Sequence, residues 1–302
     1  MRFSVWPNPA QPWEGILDEA RHAEATGWDG IWFADHFMPN APVGDPANGG
    51  PTNECWAVMA GLAAATERLR IGSLVCGNTY RHPAVLTKQA ATVDLLSGGR
   101  LVLGLGAGWQ ENEHRAYGIE FYDIRTRMDM LEEACQVVKG LLTNERTTFE
   151  GKHYQLTDAP LAPKPAQSPL PLLIGGGGEK RTMRIAAQYA DEWNVWGTPD
   201  RLRQKIEVLD RHCEDLGRDP KTIQRSAQAL LFMSKDEAKL KEVREKDIQM
   251  AHIVGSPAEI ADVMGEYRDA GVDEFIVPDF TLGDDRNDIF DLFQAEVVSA
   301  LS

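Results

Sequence analysis

The chain has 302 residues, 25% charged, 43% apolar and 8% aromatic, the composition of an ordinary globular protein. Forty-six acidic against 31 basic residues give a formal charge of −15 at pH 7, which excludes the electrostatic footprint of a nucleic-acid or anionic-membrane binder. No apolar run approaches the roughly 20 residues of a membrane span, no signal core precedes Pro7, and Cys55, Cys76, Cys135 and Cys213 share no metal or disulfide spacing; a reducing cytoplasm is expected.

In chain order, a β-prone run at Phe3–Trp6 precedes a helix over Trp13–Ala25. There Ile16, Leu17, Ala20 and Ala23 recur at helical spacing before Gly27 stops it. Strand Gly30–Phe33, helix Ala57–Ala65, strand Arg70–Cys76 and helix Ala84–Leu96 follow, the last stopped by Ser97-Gly98-Gly99. Strand Leu101–Gly104 leads to the amphipathic helix Arg125–Leu142. Thr147–Glu150 and His153–Leu156 flank Gly151-Lys152 as a small hairpin, and five prolines make Pro160–Pro171 a loop. Strands resume at Leu172–Ile174, Glu192–Val195, Ser226–Leu231 and Glu274–Val277, with helices at Arg181–Gln188, Asp200–Leu216, Ala258–Ala270 and Ile289–Ala300. Eight strands, each followed by a helix, predict an α/β fold of one domain over 1–302. It is a (β/α)8 TIM barrel with its extra length after strands 2, 4, 5 and 7.

Such a barrel carries its chemistry at the C-terminal ends of the strands. Strand 1 ends in Trp6, strand 2 in Ala34-Asp35-His36 and strand 3 in Val75-Cys76-Gly77-Asn78. Strand 4 runs into Gly104-Leu105-Gly106-Ala107-Gly108-Trp109, strand 5 into Gly175-Gly176-Gly177-Gly178 and strand 6 into Trp196. Three indoles and two glycine-rich turns suggest a slot for a flat ring, where Gly106 and Gly108 let the backbone come close. The four glycines open a helix, so free amides and the helix dipole make an anion site there; the alternative is a tight turn with no ligand. Gly104-x-Gly106 does not continue as a dinucleotide fingerprint, since position 109 is Trp109, and no Gly-Lys-Ser/Thr marks a P-loop.

Asp35-His36 is the best-placed titratable pair, either acid–base machinery or a structural histidine beside a solvated aspartate. His82, His114 and His212 read as packing or surface residues. Glu132-Glu133 and Asp284-Asp285 read as solvated faces. No histidine pair has the spacing of a metal site, and none is expected. The insertion Phe37–Glu54 is either a mobile lid or a solvated loop. From the residues alone this is a barrel enzyme for a phosphate-bearing aromatic cofactor and a small-molecule substrate, with the reaction open.

Three longer motifs narrow the reading: Gly27-Trp28-Asp29-Gly30-Ile31-Trp32-Phe33-Ala34-Asp35-His36, Arg81-His82-Pro83, and the run from Ala91 through Asp94-Leu95-Leu96-Ser97-Gly98-Gly99-Arg100 to Gly108. With Gly175–Gly178 and Ala190-Asp191-Glu192-Trp193, they closely resemble the bacterial luciferase-like monooxygenase superfamily. The form Asp-His-Phe-x-Pro at Asp35–Pro39 is most similar to its branch that uses coenzyme F420, a deazaflavin. The resemblance implies a homodimeric barrel that carries hydride through a flavin-type ring at the strand ends, with an F420-reducing or flavin-reducing enzyme as redox partner. It implies a bulge with a non-proline cis peptide at Leu74-Val75-Cys76 against the back of the ring. It also implies the cofactor phosphate on Gly176, Gly177 and Gly178, Asp35 against the ring, and His36 exchanging a proton with substrate.

Departures from the family's sugar-phosphate dehydrogenase are equally informative. That enzyme has glutamate where this chain has Trp109, tryptophan where it has Asn40, and a basic phosphate anchor near Gly197-Thr198-Pro199. Their loss points to an apolar or aromatic substrate, with Trp6, Trp109 and Trp196 either its walls or ordinary packing at the barrel mouth. The close rival is an FMN-dependent monooxygenase using reduced flavin and O2. More distant rivals are a non-catalytic flavin-binding barrel and a redox-silent enzyme such as a lyase.

Overall fold

In the computed structural model, which describes residues 1–42 and 45–301, thirteen strands are present among the described residues. They are β1 (Arg2–Trp6), β2 (Gly30–Phe33), β3 (Arg70–Ser73), β4 (Cys76–Gly77), β5 (Leu101–Gly106), β6 (Arg146–Glu150), β7 (Gln155–Pro160), β8 (Leu172–Gly175), β9 (Glu192–Trp196), β10 (Gln224–Gln228), β11 (Leu230–Met233), β12 (His252–Gly255) and β13 (Glu274–Pro278). Eight segments, with β3 and β4 counted as one broken strand, pair in parallel in the order β3-β2-β1-β13-β10-β9-β8-β5, and β3 pairs directly with β5 to close the ring. The fold is the (β/α)8 barrel expected from the strand–helix alternation.

The strand runs are buried on both faces, as a parallel sheet sheathed by helices requires. Val5, Ile31, Phe33, Leu103 and Phe275 pack outward into the helix layer, while Trp32, Val102, Leu173 and Ile276 fill the lumen. Gly27 ends the first helix, Trp13–Thr26, at φ +88°, a left-handed position that glycine takes without a side-chain clash.

Several expectations are corrected. The third strand is interrupted at Leu74-Val75 rather than continuous to Cys76. The seventh ends at Gln228; β11 leaves the barrel to pair in parallel with β12, a pairing that no local periodicity encodes. No extra length follows the fifth strand, because Gly175 and the helix Thr182–Tyr189 are joined directly by the glycine turn; the proline-rich run precedes that strand instead. The hairpin's second strand starts at Gln155, because His153 and Tyr154 belong to its turn. Glu133 is no solvated residue: its carboxylate accepts the backbone N–H groups of Lys152, His153 and Tyr154 at 2.8, 2.8 and 3.0 Å, tying that turn to the long helix Ile124–Thr143.

The N-terminal end of the lumen is closed by charge. Arg70 bridges Glu274 at 2.6 Å and Glu192 at 2.5 Å. Glu274 also accepts from Ser4 Oγ at 2.6 Å and Trp32 Nε1 at 2.8 Å. Without Arg70, Glu274 would keep Arg2 at 3.1 Å, but Glu192 would lose its ion-pair partner among the described residues, and leaving a buried charge unpaired costs about 3–5 kcal/mol. Arg70→Met is therefore expected to lower stability by about that amount in urea titrations. A variant as stable as the parent would show that the cluster is not needed to close the barrel.

Candidate active site

At the opposite end the strand termini surround a cavity of about 1010 Å³. Of the sequence-predicted residues, Trp6, Asp35, His36, Leu74, Val75, Cys76, Gly106, Gly108, Trp109, Gly176, Gly177 and Trp196 all line it; Gly178 does not. The indoles fall into two groups. Trp6 packs against Trp196 at 5.6 Å between ring centres and against Phe280 at 5.1 Å, whereas Trp109 stands edge-on to His36 at 5.5 Å and is 60% exposed. The described part of the insertion Phe37–Glu54 walls the mouth with Met38, Pro39, Asn40, Pro51 and Thr52; residues 43 and 44 lie outside the described residues. Gln110 Nε2 donates to Met38 O at 2.8 Å and Asn112 Nδ2 to Pro39 O at 2.9 Å, fastening that wall to the loop and helix after β5.

His36 is not paired with its neighbour. Its Nδ1 lies 2.7 Å from Glu113 Oε1, and Glu113 is fully buried on the short helix Glu111–Ala116. The same carboxylate accepts the Phe37 N–H at 2.6 Å and the Tyr80 hydroxyl. An ionised carboxylate only accepts, so Nδ1 carries a proton and Nε2 is the nitrogen free for exchange. Burial works to raise the Glu113 carboxyl, but the His36 hydrogen bond and charge, with the Phe37 and Tyr80 donors, hold it below the usual carboxylate range. Tyr80 is correspondingly driven up by burial and by Glu113, so it stays a protonated donor.

Asp35 instead takes a bidentate grip from Arg81, at 2.7 and 3.1 Å, and Arg81 also holds Glu54. Burial raises the Asp35 carboxyl, against the lowering pull of Arg81. His82 caps its helix through Ala84 N–H, His212 Nε2 lies 2.7 Å from Glu179 O, and buried His114 bridges Thr79 and Gln110 O.

The glycines within β5 and at the end of β8 have a packing role. A side chain on Gly104 would begin 1.9 Å from Ser73 O; on Gly106 or Gly175 it would meet Val75 at 2.7 and 2.8 Å. These glycines seat the break in the third strand, whose Leu74–Val75 bond is cis, and leave Val75 on the cavity wall. After β8, Gly176 sits at φ +123°. Its N–H donates to Asn194 O and Met183 N–H to Gly178 O; the amides from Gly177 to Thr182 find no acceptor among the described residues. Lys205 reaches this turn at Gly177 O, 3.0 Å.

A match to the luciferase-like monooxygenase family covers residues 1–253. The chain belongs to that family. This luciferase-like protein is 30% identical over 321 residues to an F420-dependent glucose-6-phosphate dehydrogenase of Kineococcus radiotolerans, covering 95% of this chain and 92% of that protein. An enzyme of the same name from Amycolatopsis mediterranei is 35% identical over 176 residues, 58% of this chain and half of that protein. A solved structure described as an F420-dependent secondary alcohol dehydrogenase superposes with a TM-score of 0.84 over the full length of both chains, at 21% identity. The luciferase-like chain is an enzyme, and an oxidoreductase of its family.

Glu113 and Tyr80 were not singled out from the sequence, because residues 36, 80 and 113 meet only through three separate strand-end loops. Asn194 and Gln228 were also passed over, although polar residues at every second position of Glu192-x-Asn194-x-Trp196 and Gln224-x-Ser226-x-Gln228 mark the lumen face. Since the folded Glu113 value lies below the unfolded one of about 4.3, its ionised form stabilises the fold above that pH. The contribution is lost as pH falls through the folded value. Glu113→Gln is therefore expected to be less stable than the parent at neutral pH, with the gap closing in acid. Urea titrations from about pH 3 to 8 check this; a gap independent of pH would contradict an ionised Glu113.

Proposed function

We propose that the enzyme uses coenzyme F420 to transfer hydride to or from an apolar or aromatic organic substrate. The observation that carries this is the buried Glu113–His36 pair opening onto an aromatic-walled cavity that also borders a turn rich in free amides. The names of the full-length relative and the structural neighbour above support the deazaflavin. The residues present fit that group. The cavity exceeds a usual ligand pocket of about 300–1,000 Å³, Val75 offers an apolar shelf, and the N–H groups of Gly177–Thr182 suit a phosphate at a helix N-terminus. When bound, the deazaflavin supplies a two-electron carrier that moves hydride at C5.

The chain supplies the rest. Glu113 fixes the His36 tautomer and ring orientation, so Nε2 gives or takes the proton that balances hydride movement. Arg81 fixes the buried Asp35 carboxyl at the cavity wall and opposes the upward pull of burial on it. Trp6, Trp196 and Phe280 on one side and Trp109 on the other bury an uncharged substrate and exclude water. Homodimerisation belongs to the same proposal, supported by exposed Val85 and Leu96 on one helix, Pro83–Leu96.

Two measurements test the reading. In fluorescence titrations F420 is expected to bind with a Kd of about 1 μM or tighter and FMN far more weakly. Tight binding of FMN alone would move the protein to the oxygen-using monooxygenases, and binding of neither would end the redox reading. His36→Ala is expected to keep cofactor affinity and lose about 10²–10⁴ in turnover. Undiminished turnover would make His36 scaffold.

A further inference from the structure

On the floor of the cavity two amide side chains make half of a hydrogen-bonded pair. Asn194 and Gln228 are 3% and 2% exposed, and both line the cavity. Asn194 Nδ2 donates to Gln228 Oε1 at 2.7 Å and to Ser226 Oγ at 2.9 Å. The Ser226 hydroxyl in turn donates to Trp193 O at 3.4 Å, so it accepts from Asn194, and the orientation of both amides follows from this chain. What remains is one acceptor, Asn194 Oδ1, and one amide donor, Gln228 Nε2. Neither finds a partner among the described residues, and neither is sealed from the cavity.

Two amides side by side ordinarily close both hydrogen bonds; here the second is not made. The missing partner is a group that offers N–H and C=O next to each other, in cis. We propose that Asn194 and Gln228 form a recognition site for a ring lactam or imide edge, whose N–H donates to Asn194 Oδ1 and whose carbonyl accepts from Gln228 Nε2. Both side chains are uncharged, which selects a neutral edge over a carboxylate or phosphate. The walls select a planar ring: Trp196 is the register partner of Gln228 and packs against Trp6. The assignment rests on the reading of this cavity as the redox site, where two molecules can carry such an edge: the pyrimidinedione ring of the cofactor, or a heteroaromatic substrate.

The test uses F420, the aromatic lactam isoquinolin-1(2H)-one and its N-methyl derivative as probes, with the parent, Gln228→Glu and Gln228→Met. Gln228→Glu keeps the acceptor that Asn194 uses and replaces the free donor with an acceptor; Gln228→Met keeps side-chain length and removes both. The lactam is expected to bind the parent, and loss of its N–H to weaken it about tenfold. If the pair reads the cofactor, both variants lose about tenfold in F420 affinity and F420-loaded protein rejects the lactam. If it reads a substrate, F420 affinity is unchanged while F420-loaded parent binds the lactam and the variants bind it about tenfold more weakly. Unchanged affinities for both probes in folded variants overturn the site and leave the cofactor reading standing. A parent that binds the lactam through Gln228 but no F420 does the reverse. A parent that binds neither overturns the site, and should both variants fail to fold, equal binding of the N-methyl derivative to the parent overturns it as well.

Discussion

The mouth of this barrel is organised by one steric fact: the backbone and side chain of the broken third strand occupy space that three residues of the fourth and fifth strands vacate. Ser73 O sits where a side chain on Gly104 would begin, and Val75 sits where those of Gly106 and Gly175 would be. Any larger residue at these glycines pushes the break inward or opens the β3–β5 closure. With them in place, Val75 stands as a shelf between the His36 side of the cavity and the glycine turn after β8. The shape of this wall is thus set by strand packing, before any polar contact contributes.

Charge is handled locally. A chain carrying −15 still assembles two buried carboxylates beside its cavity, and each is answered by its own donors rather than by the net field. Asp35 is held by a forked guanidinium, a geometry that fixes direction as well as charge. Glu113 collects one ring N–H, one backbone N–H and one hydroxyl, and so converts a mobile histidine into an oriented one. The turn after β8 is equally local: its amides from Gly177 to Thr182 meet no acceptor among the described residues, and Lys205 stands beside them at Gly177 O.

The barrel itself was legible because strand and helix alternate with clear stops, as at Gly27 and Ser97-Gly98-Gly99, and because strand ends can be read as positions on one face. That placed Asp35, His36, Val75 and Trp196 around one cavity from the sequence. What was not legible is whatever depends on distance between loops. Asp35 beside His36 in the chain suggested a pair, yet side chains leaving a strand end at consecutive positions diverge, and each found a partner from another element. The β11–β12 pairing escaped for the same reason, since nothing local in Leu230–Met233 distinguishes a strand inside the barrel from one beside it.

The ionic stopper of Arg70, Glu192 and Glu274 has a consequence for traffic. Among the described residues, a lumen plugged at its foot opens at the other end, so substrate, product and solvent would pass the tryptophans there. A ring held against Val75 would lie below that mouth, and a molecule entering after it would be the first able to leave.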